Sequence, residues 1–152
     1  MDIPKNIQVK AIQDSLTSQK LYLFKNKTYS NTAPAHYHLA IKTNNDNYIL
    51  LTMLTSQVEK KKIFYEDSPS LLSSLIQISA SNITKISPRL HLDSCIDCNR
   101  PILKTNEELL ANIAENSFEY IDACIENSLI VEIIDAIKSS PQVRPNIKNT
   151  IL

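Results

Sequence analysis

None of the 152 residues is glycine, and this absence limits what the chain can fold into more than any other feature of the sequence. Turn positions with positive φ must then be filled by other residues, of which asparagine is the best suited. We expect such turns at residues 44–47 (NNDN) and at Asn26 and Lys27. Phosphate-binding loops of the Walker and dinucleotide-binding types need glycine for close backbone approach, so the sequence disfavours P-loop ATPases, kinases and Rossmann enzymes.

The firmest local pattern is a pair of strand-like runs joined by the first of these turns. Residues 35–43 (AHYHLAIKT) and 48–56 (YILLTMLTS) are rich in apolar, aromatic and β-branched residues. Such runs on either side of residues 44–47 predict a β-hairpin in which asparagine takes the place of glycine.

Three further strands are expected outside the hairpin. Residues 20–27 and 75–79 are strand-like, and residues 94–100 (SCIDCNR) form a short candidate that should end before Pro101. The sequence thus predicts about five strands, with a loop over residues 28–34 after the first.

Helical spacing is weak in the first two thirds of the chain. Residues 3–19 fit a short helix imperfectly. Residues 57–74 are expected to be an irregular segment with one helical turn at most. A loop containing Ser87 and Pro88 precedes the last strand.

The last third has clear helix signals. Thr105 is followed three residues later by Glu108, the spacing of a capping box. Apolar residues recur at helical spacing over residues 127–138, Pro141 ends that helix, and residues 145–152 have room for one more turn. The chain is therefore expected to be a single α+β domain, residues 1–152, with a small antiparallel β-barrel over residues 20–100 and helices over residues 105–152.

Composition indicates a cytoplasmic protein. No apolar run approaches the ~20 residues of a membrane span, and residues 1–10 lack the apolar segment of a secretory signal. Three cysteines, an odd number, favour free thiols over a disulfide framework. The net charge is zero, but residues 1–65 hold nine lysines against four acids, +5, and the remainder carries −5, so one face could attract a polyanion.

His36 and His38 form the first candidate site. Residues i and i+2 of a strand face the same side, so both imidazoles should project together from the first strand of the hairpin. Paired imidazoles can act as general base and general acid and drive a ribose 2′-hydroxyl onto the neighbouring phosphate without a metal. The alternative is that both are ordinary strand histidines.

Hydroxyl and lysine side chains could complete such a site. Thr55 and Ser56 end the second strand of the hairpin, where they could bind a scissile phosphate, although hydroxyls at strand ends more often serve turns or caps. Lys60, Lys61 and Lys62 could contact RNA phosphates or simply face solvent.

The segment from Cys95 to Asn99 allows a different interpretation, in which the chain holds a zinc ion. Cys95 and Cys98 could join His36 and His38 as zinc ligands, but positions i and i+3 of a strand point to opposite faces, which works against this. Asn99 is a candidate for substrate binding, although it and Asp97 would more naturally hold backbone groups in place.

The order of these features resembles the MazF/PemK-type toxin superfamily, bacterial endoribonucleases built on an SH3-like barrel. The likeness covers about residues 20–115 and lies in AHYHLAIKT, in YILLTMLTS with its final Leu-Thr-Ser, and in the Ser-x-Ile-Asp-Cys-Asn segment before a helix. Thr55 matches the catalytic threonine of those enzymes. Their loop arginine next to proline is replaced here by the stretch Pro34-Ala35-His36, so either His36 and His38 have taken over its role or the activity has been lost or exchanged. The chain would then be a divergent branch of the superfamily.

The resemblance implies a toxin of a type II toxin–antitoxin system that cleaves single-stranded RNA without a metal or other cofactor, is neutralised by a cognate antitoxin protein and forms a homodimer. The competing hypothesis is a noncatalytic SH3-like module that binds protein or RNA. The missing arginine favours the module, and the co-facing histidines favour the enzyme.

Overall fold

The computed structural model of the protein describes Pro4, Ile7 and residues 20–24, 36–45, 47–114 and 118–151. Within these residues the fold is α+β, as predicted, with six strands and six helices. The strands are β1 Lys20–Phe24, β2 His36–Lys42, β3 Tyr48–Thr55, β4 Leu75–Ile78, β5 Ser94–Thr105 and β6 Phe118–Asp122. The helices are α1 Val58–Phe64, α2 Pro69–Leu72, α3 Ala80–Ile86, α4 Asn106–Ala114, α5 Asn127–Ser139 and α6 Pro145–Lys148.

The strands form one antiparallel sheet in the order β4-β5-β3-β2-β1-β6. This sheet is open, which corrects the expected barrel. The unpredicted strand β6 pairs with β1 along its full length, from Lys20 opposite Asp122 to Phe24 opposite Phe118. β6 thus occupies the edge of β1 at which a closing strand would have to bind, and within the described residues β4 and β6 remain the two outer strands.

The β2–β3 hairpin is confirmed, and asparagine stabilises its turn. Tyr37 pairs with Leu54 and Lys42 with Ile49. In the turn the Asn45 side-chain oxygen accepts a hydrogen bond from the backbone N–H of Asn47 at 2.9 Å. A side chain that replaces a backbone acceptor in this way is the reason asparagine suits turns.

Helices cover both faces of the sheet. On the first face, Ile83 of α3 and Ile133 and Ile137 of α5 are fully buried against apolar side chains of the central strands, Leu21, Leu39, Leu50, Leu54 and Ile96. On the second face, Leu109 of α4 packs on Tyr22, Ala40 and Leu51. Beside it Tyr65, Leu75 and Cys95 pack under α1 and α2. Full burial of one such aliphatic side chain contributes about 1.5–3 kcal/mol, so both layers stabilise the sheet.

The predicted C-terminal helices are all present. Thr105 and Glu108 form the capping box before α4: the Thr105 hydroxyl accepts from the Glu108 N–H at 3.2 Å, and the Glu108 carboxylate accepts from the Thr105 N–H at 3.4 Å. α5 ends at Ser139, before Pro141, and α6 supplies the final turn. Among the described residues the longest helix is α5, with 13 residues, and no helix there combines the length and apolar character needed to cross a bilayer.

Residues 57–74 were predicted to be irregular, but the structure shows α1 and α2 there. α3 was expected to be loop, yet its N-cap Ser79 accepts a hydrogen bond from the Asn82 N–H. Except for Pro4 and Ile7, the predicted helix over residues 3–19 lies outside the described residues, as do the turn at Asn26 and Lys27 and the loop over residues 28–34. The single-domain organisation stays a prediction.

β5 runs through Pro101 instead of ending before it. Leu51 of β3 pairs with Ile102 of β5, and Met53 pairs with Asp97. The two pairs are therefore two residues apart on β3 and five residues apart on β5. The extra residues form a bulge, and a bulge releases the backbone N–H groups from the ladder. A residue that has no N–H is tolerated there, so Pro101 does not end the strand.

Thr52 lies opposite this irregularity and is fully buried, and within the described residues its hydroxyl has no hydrogen-bond partner. An unsatisfied buried hydroxyl costs about 1–3 kcal/mol. We expect Thr52→Val, which keeps the shape and removes the hydroxyl, to raise the free energy of unfolding by about 1 kcal/mol. Urea unfolding followed by circular dichroism measures this change. A loss of stability would show that the hydroxyl has a partner.

Candidate functional site

Polar and charged side chains gather on the second face of the sheet, beneath α1. The ladder pairs Tyr37 with Leu54, so His36 and Thr55 are the next residues outward on their strands and share this face. His38 lies two residues further along the same side of β2. Asp97 reaches this face from β5, opposite Met53. The topology therefore brings together side chains that are far apart in sequence.

The centre of the site is a buried carboxylate. Asp97 is completely buried, and its Oδ2 accepts hydrogen bonds from Lys61 Nζ and from the Tyr65 hydroxyl, both at 2.9 Å. Its Oδ1 accepts from the Asn99 N–H at 3.1 Å. Lys61 and Tyr65 are four residues apart, the last at the end of α1, so their side chains lie on the same side of that helix. α1 is thereby fixed to β5 by charge-assisted hydrogen bonds, which are stronger than neutral ones.

His36 is half-buried at the edge of this cluster. Burial lowers its pKa below the usual 6.5, and the positive charge of Lys61 lowers it further. The imidazole is therefore neutral at pH 7, which is the form that can accept a proton. Of the two histidines, this one suits the general base role that the sequence predicts.

His38 lies in a different environment. It is 1% exposed, and burial lowers its pKa to about 4 against the opposing effect of a backbone hydrogen bond to His36. Its Nδ1 donates to the His36 carbonyl oxygen at 2.9 Å. A ring that stays uncharged near pH 7 does not suit the general acid role predicted for it. Of the two histidines, only His36 is therefore available to a ligand, and His38 is buried in the protein.

The hydroxyls of Thr55 and Ser56, which were predicted to bind a phosphate together, lie in different surroundings. Thr55 is buried and its Oγ1 accepts from the Gln57 N–H at 3.1 Å, so it caps the turn into α1. Ser56 is exposed and lines an open groove of about 770 Å³ between the start of α1, β4 and the start of β5. The other polar side chains that line this groove are Gln57, Glu59, Lys60, Lys62, Gln77, Ser79, Asn82, Asp93 and Ser94.

The three predicted substrate-binding lysines also differ. Lys61 points inward to Asp97 and its side chain is 17% exposed. Lys60 is exposed, and Lys62 lies 3.4 Å from the exposed carboxylate of Glu59 three residues earlier. Lys60 and Lys62 thus form the positive surface of α1, while Lys61 links that surface to the cluster below.

Asn99 is a packing residue in this structure. It is buried, its Nδ2 donates to the Leu71 carbonyl at 2.8 Å, and its Oδ1 accepts from the Ser140 hydroxyl at 2.7 Å. These bonds connect β5 to α2 and to the end of α5. The substrate-binding role predicted for Asn99 does not fit this arrangement, whereas the alternative of holding backbone groups does.

The zinc alternative is not supported by the geometry. Cys95 lies on the second face of the sheet with Asp97, and Cys98 lies in the core of the first face. Burial raises the pKa of Cys95 to about 11 and raises that of Cys98 still more, so both thiols are protonated. Within the described residues no three His, Cys, Asp or Glu side chains come close enough to hold a metal. All three cysteines, including Cys124, are free, as predicted.

The sequence did not predict a role for Tyr65 or the role of Asp97 as the anchor of Lys61. The available signal was the i,i+4 spacing of Lys61 and Tyr65, which becomes informative only once residues 58–64 are assigned to a helix. Neither a protein-family model nor a curated protein matches the chain.

Proposed function

We propose that the protein is a metal-independent endoribonuclease that cleaves single-stranded RNA. The observation that carries this proposal is the position of His36, a half-buried imidazole on the same face of the sheet as Thr55, whose pKa is lowered by burial and by the positive charge of Lys61. A base next to a fixed cation is what transfer of a phosphoryl group to a ribose 2′-hydroxyl requires.

In the proposed reaction His36 takes the proton of the 2′-hydroxyl, and the 2′-oxygen attacks the adjacent phosphorus. The bond from phosphorus to the 5′-oxygen then breaks, and that oxygen takes a proton from water, while Lys61 stays charged. The products are a 2′,3′-cyclic phosphate and a 5′-hydroxyl end. His36 then loses its proton to water, which restores the site. His38 has no part in proton transfer here, because burial keeps it neutral.

The biological setting that we infer is a toxin held in check by a cognate antitoxin protein in the cytoplasm. The sequence likeness to MazF/PemK-type toxins supports this setting, as does the surplus of +5 charges in residues 1–65. A homodimer belongs to the same proposal.

Purified protein incubated with mixed RNA and EDTA tests the cleavage activity. We expect 2′,3′-cyclic phosphate products from the wild type, and a loss of about 10² in rate for His36→Ala, the size of a missing general base. The rate should fall as pH is lowered through the His36 pKa, below 6.5, since protonation removes the base. The control is His91→Ala, which removes an exposed histidine elsewhere.

Circular dichroism establishes that each variant is folded. RNA left intact by folded wild-type protein, or cleaved equally fast by His36→Ala, would contradict the nuclease proposal.

A noncatalytic RNA- or protein-binding module is the second candidate. The groove of about 770 Å³ beside Ser56, Lys60 and Lys62 favours it, because the groove offers hydroxyls, amides and charged groups of both signs without the two histidines. Binding of RNA by wild type and His36→Ala with equal affinity, and with no cleavage by either, is the result expected for such a module.

A further inference from the structure

Phe64 is a large apolar side chain left exposed at the end of α1. It is 66% exposed, and its neighbour Ile63 is 62% exposed. The ring is held in place from beneath, because it makes an edge contact with the buried Tyr65 ring at a centroid distance of 4.9 Å and an interplanar angle of 85°. Tyr65 in turn is fixed by its hydrogen bond to Asp97. An exposed ring on a rigid support offers a face to a flat ligand at little cost in side-chain entropy.

Two lysines of α1 are neighbours of this ring. Lys61 Nζ lies 6.0 Å from the centroid. Lys60 precedes Phe64 by four residues, so both side chains lie on the same side of α1. A fixed aromatic ring beside lysines is the combination by which proteins bind single-stranded nucleic acid, with a base stacked on the ring and the adjoining phosphates near the cations.

We propose that Phe64 is a base-stacking residue for single-stranded RNA, and that Lys60, on the same side of α1, binds a phosphate next to the stacked base. The inference rests on the proposed function only in taking RNA as the ligand. The Phe64 ring and His36 both feel the charge of Lys61, whose ammonium is 6.0 Å from the ring centroid and whose charge lowers the His36 pKa.

A nucleic acid fits this patch better than a protein does. Among the described residues, the large apolar side chains exposed at this end of α1 are Ile63 and Phe64, and two side chains offer far less than the roughly 800 Å² per partner of a stable protein interface. One ring is enough to stack one base. Tyr120, another exposed aromatic ring, is less suitable, because Lys20 Nζ already covers it at 4.2 Å from the centroid.

The test measures binding of a fluorescein-labelled 2′-O-methyl oligouridylate of about ten nucleotides, which cannot be cleaved through its 2′-oxygen, at one fixed salt concentration. We expect Phe64→Ala to raise Kd about tenfold, the effect of losing one stacked base, and Phe64→Trp to retain affinity. Ile63→Ala and Tyr120→Ala are matched controls, each removing an exposed apolar side chain, and should leave Kd within about twofold of wild type.

A second readout uses the absence of tryptophan from the chain. In Phe64→Trp the new indole is the only one, so its fluorescence reports on that position, and we expect the oligonucleotide to quench it far more than it quenches Ile63→Trp. Equal affinity of Phe64→Ala and wild type, or equal quenching at positions 63 and 64, would overturn the proposal and leave the patch to a protein partner.

The two proposals fail in different ways. Oligonucleotide binding that depends on Phe64, without cleavage of RNA, would support the stacking residue and refute the nuclease. If Phe64→Ala cleaves RNA at the wild-type rate and binds the oligonucleotide with unchanged affinity, the nuclease is supported and the stacking residue is refuted. No binding of any oligonucleotide by folded wild-type protein would overturn both.

Discussion

Replacement of Asp97 by alanine should lower the free energy of unfolding by about 3–5 kcal/mol, the cost of breaking a buried ion pair by removing one partner. The carboxylate is completely buried and accepts from three donors, on Lys61, Tyr65 and Asn99. Alanine would leave a lysine ammonium and a phenol hydroxyl facing a cavity in place of an acceptor. Urea unfolding followed by circular dichroism measures the loss as a lower midpoint.

Substitution of Lys61, the other member of the ion pair, separates the contribution of charge to stability from that of packing. Lys61→Met leaves the Asp97 carboxylate buried with neutral donors only, so we expect a loss of about 3 kcal/mol. Lys62→Met is the matched control, since it makes the same change at the next residue of α1. Lys62 pairs with an exposed carboxylate at 3.4 Å, and such surface pairs contribute about 0–1 kcal/mol.

The double variant Asp97→Leu with Lys61→Met gives the third comparison. Replacing both partners of a buried ion pair by apolar residues is often neutral, so this variant should be more stable than Lys61→Met alone. If Lys61→Met and Lys62→Met unfold at the same urea concentration, the Lys61 ion pair does not anchor α1.

Local spacing was enough to predict the elements whose signals lie within a few residues. The β2–β3 hairpin follows from Asn45 and the strand runs beside it, and α4 follows from Thr105 and Glu108. β6 is different, because its position depends on pairing with β1, about a hundred residues earlier. No periodicity within residues 118–122 encodes that partner.

The same distinction applies to the candidate site. That His36 and His38 share a face follows from strand geometry, but their burial depends on what covers that face. Asp97 and Lys61 are 36 residues apart, and only the packing of α1 over β5 brings them together. Because the sequence did not predict α1, it could not predict the ion pair of Lys61 with Asp97 or the effect of the Lys61 charge on the His36 pKa.

His38 should make the protein less stable in mild acid. Its folded-state pKa is about 4, lowered by burial from 6.5, so between these values the unfolded chain binds a proton that the folded protein does not. Stability then rises with pH, and conversely falls as pH is lowered from about 6.5 toward 4. The difference between the two pKa values corresponds to about 3 kcal/mol.

Urea unfolding of wild type and His38→Gln at several pH values from 7 to about 4.5 isolates this contribution. Glutamine cannot take up the proton, so the variant should lose less stability than wild type as pH falls, and the gap in unfolding free energy between the two proteins should shrink. His36 also has a lowered pKa, but it is present in both proteins and its contribution cancels in the difference. A gap that stays constant with pH would mean that the His38 ring reaches solvent and takes up its proton without unfolding, and His38 would then regain a place among the proton-transfer groups of the site.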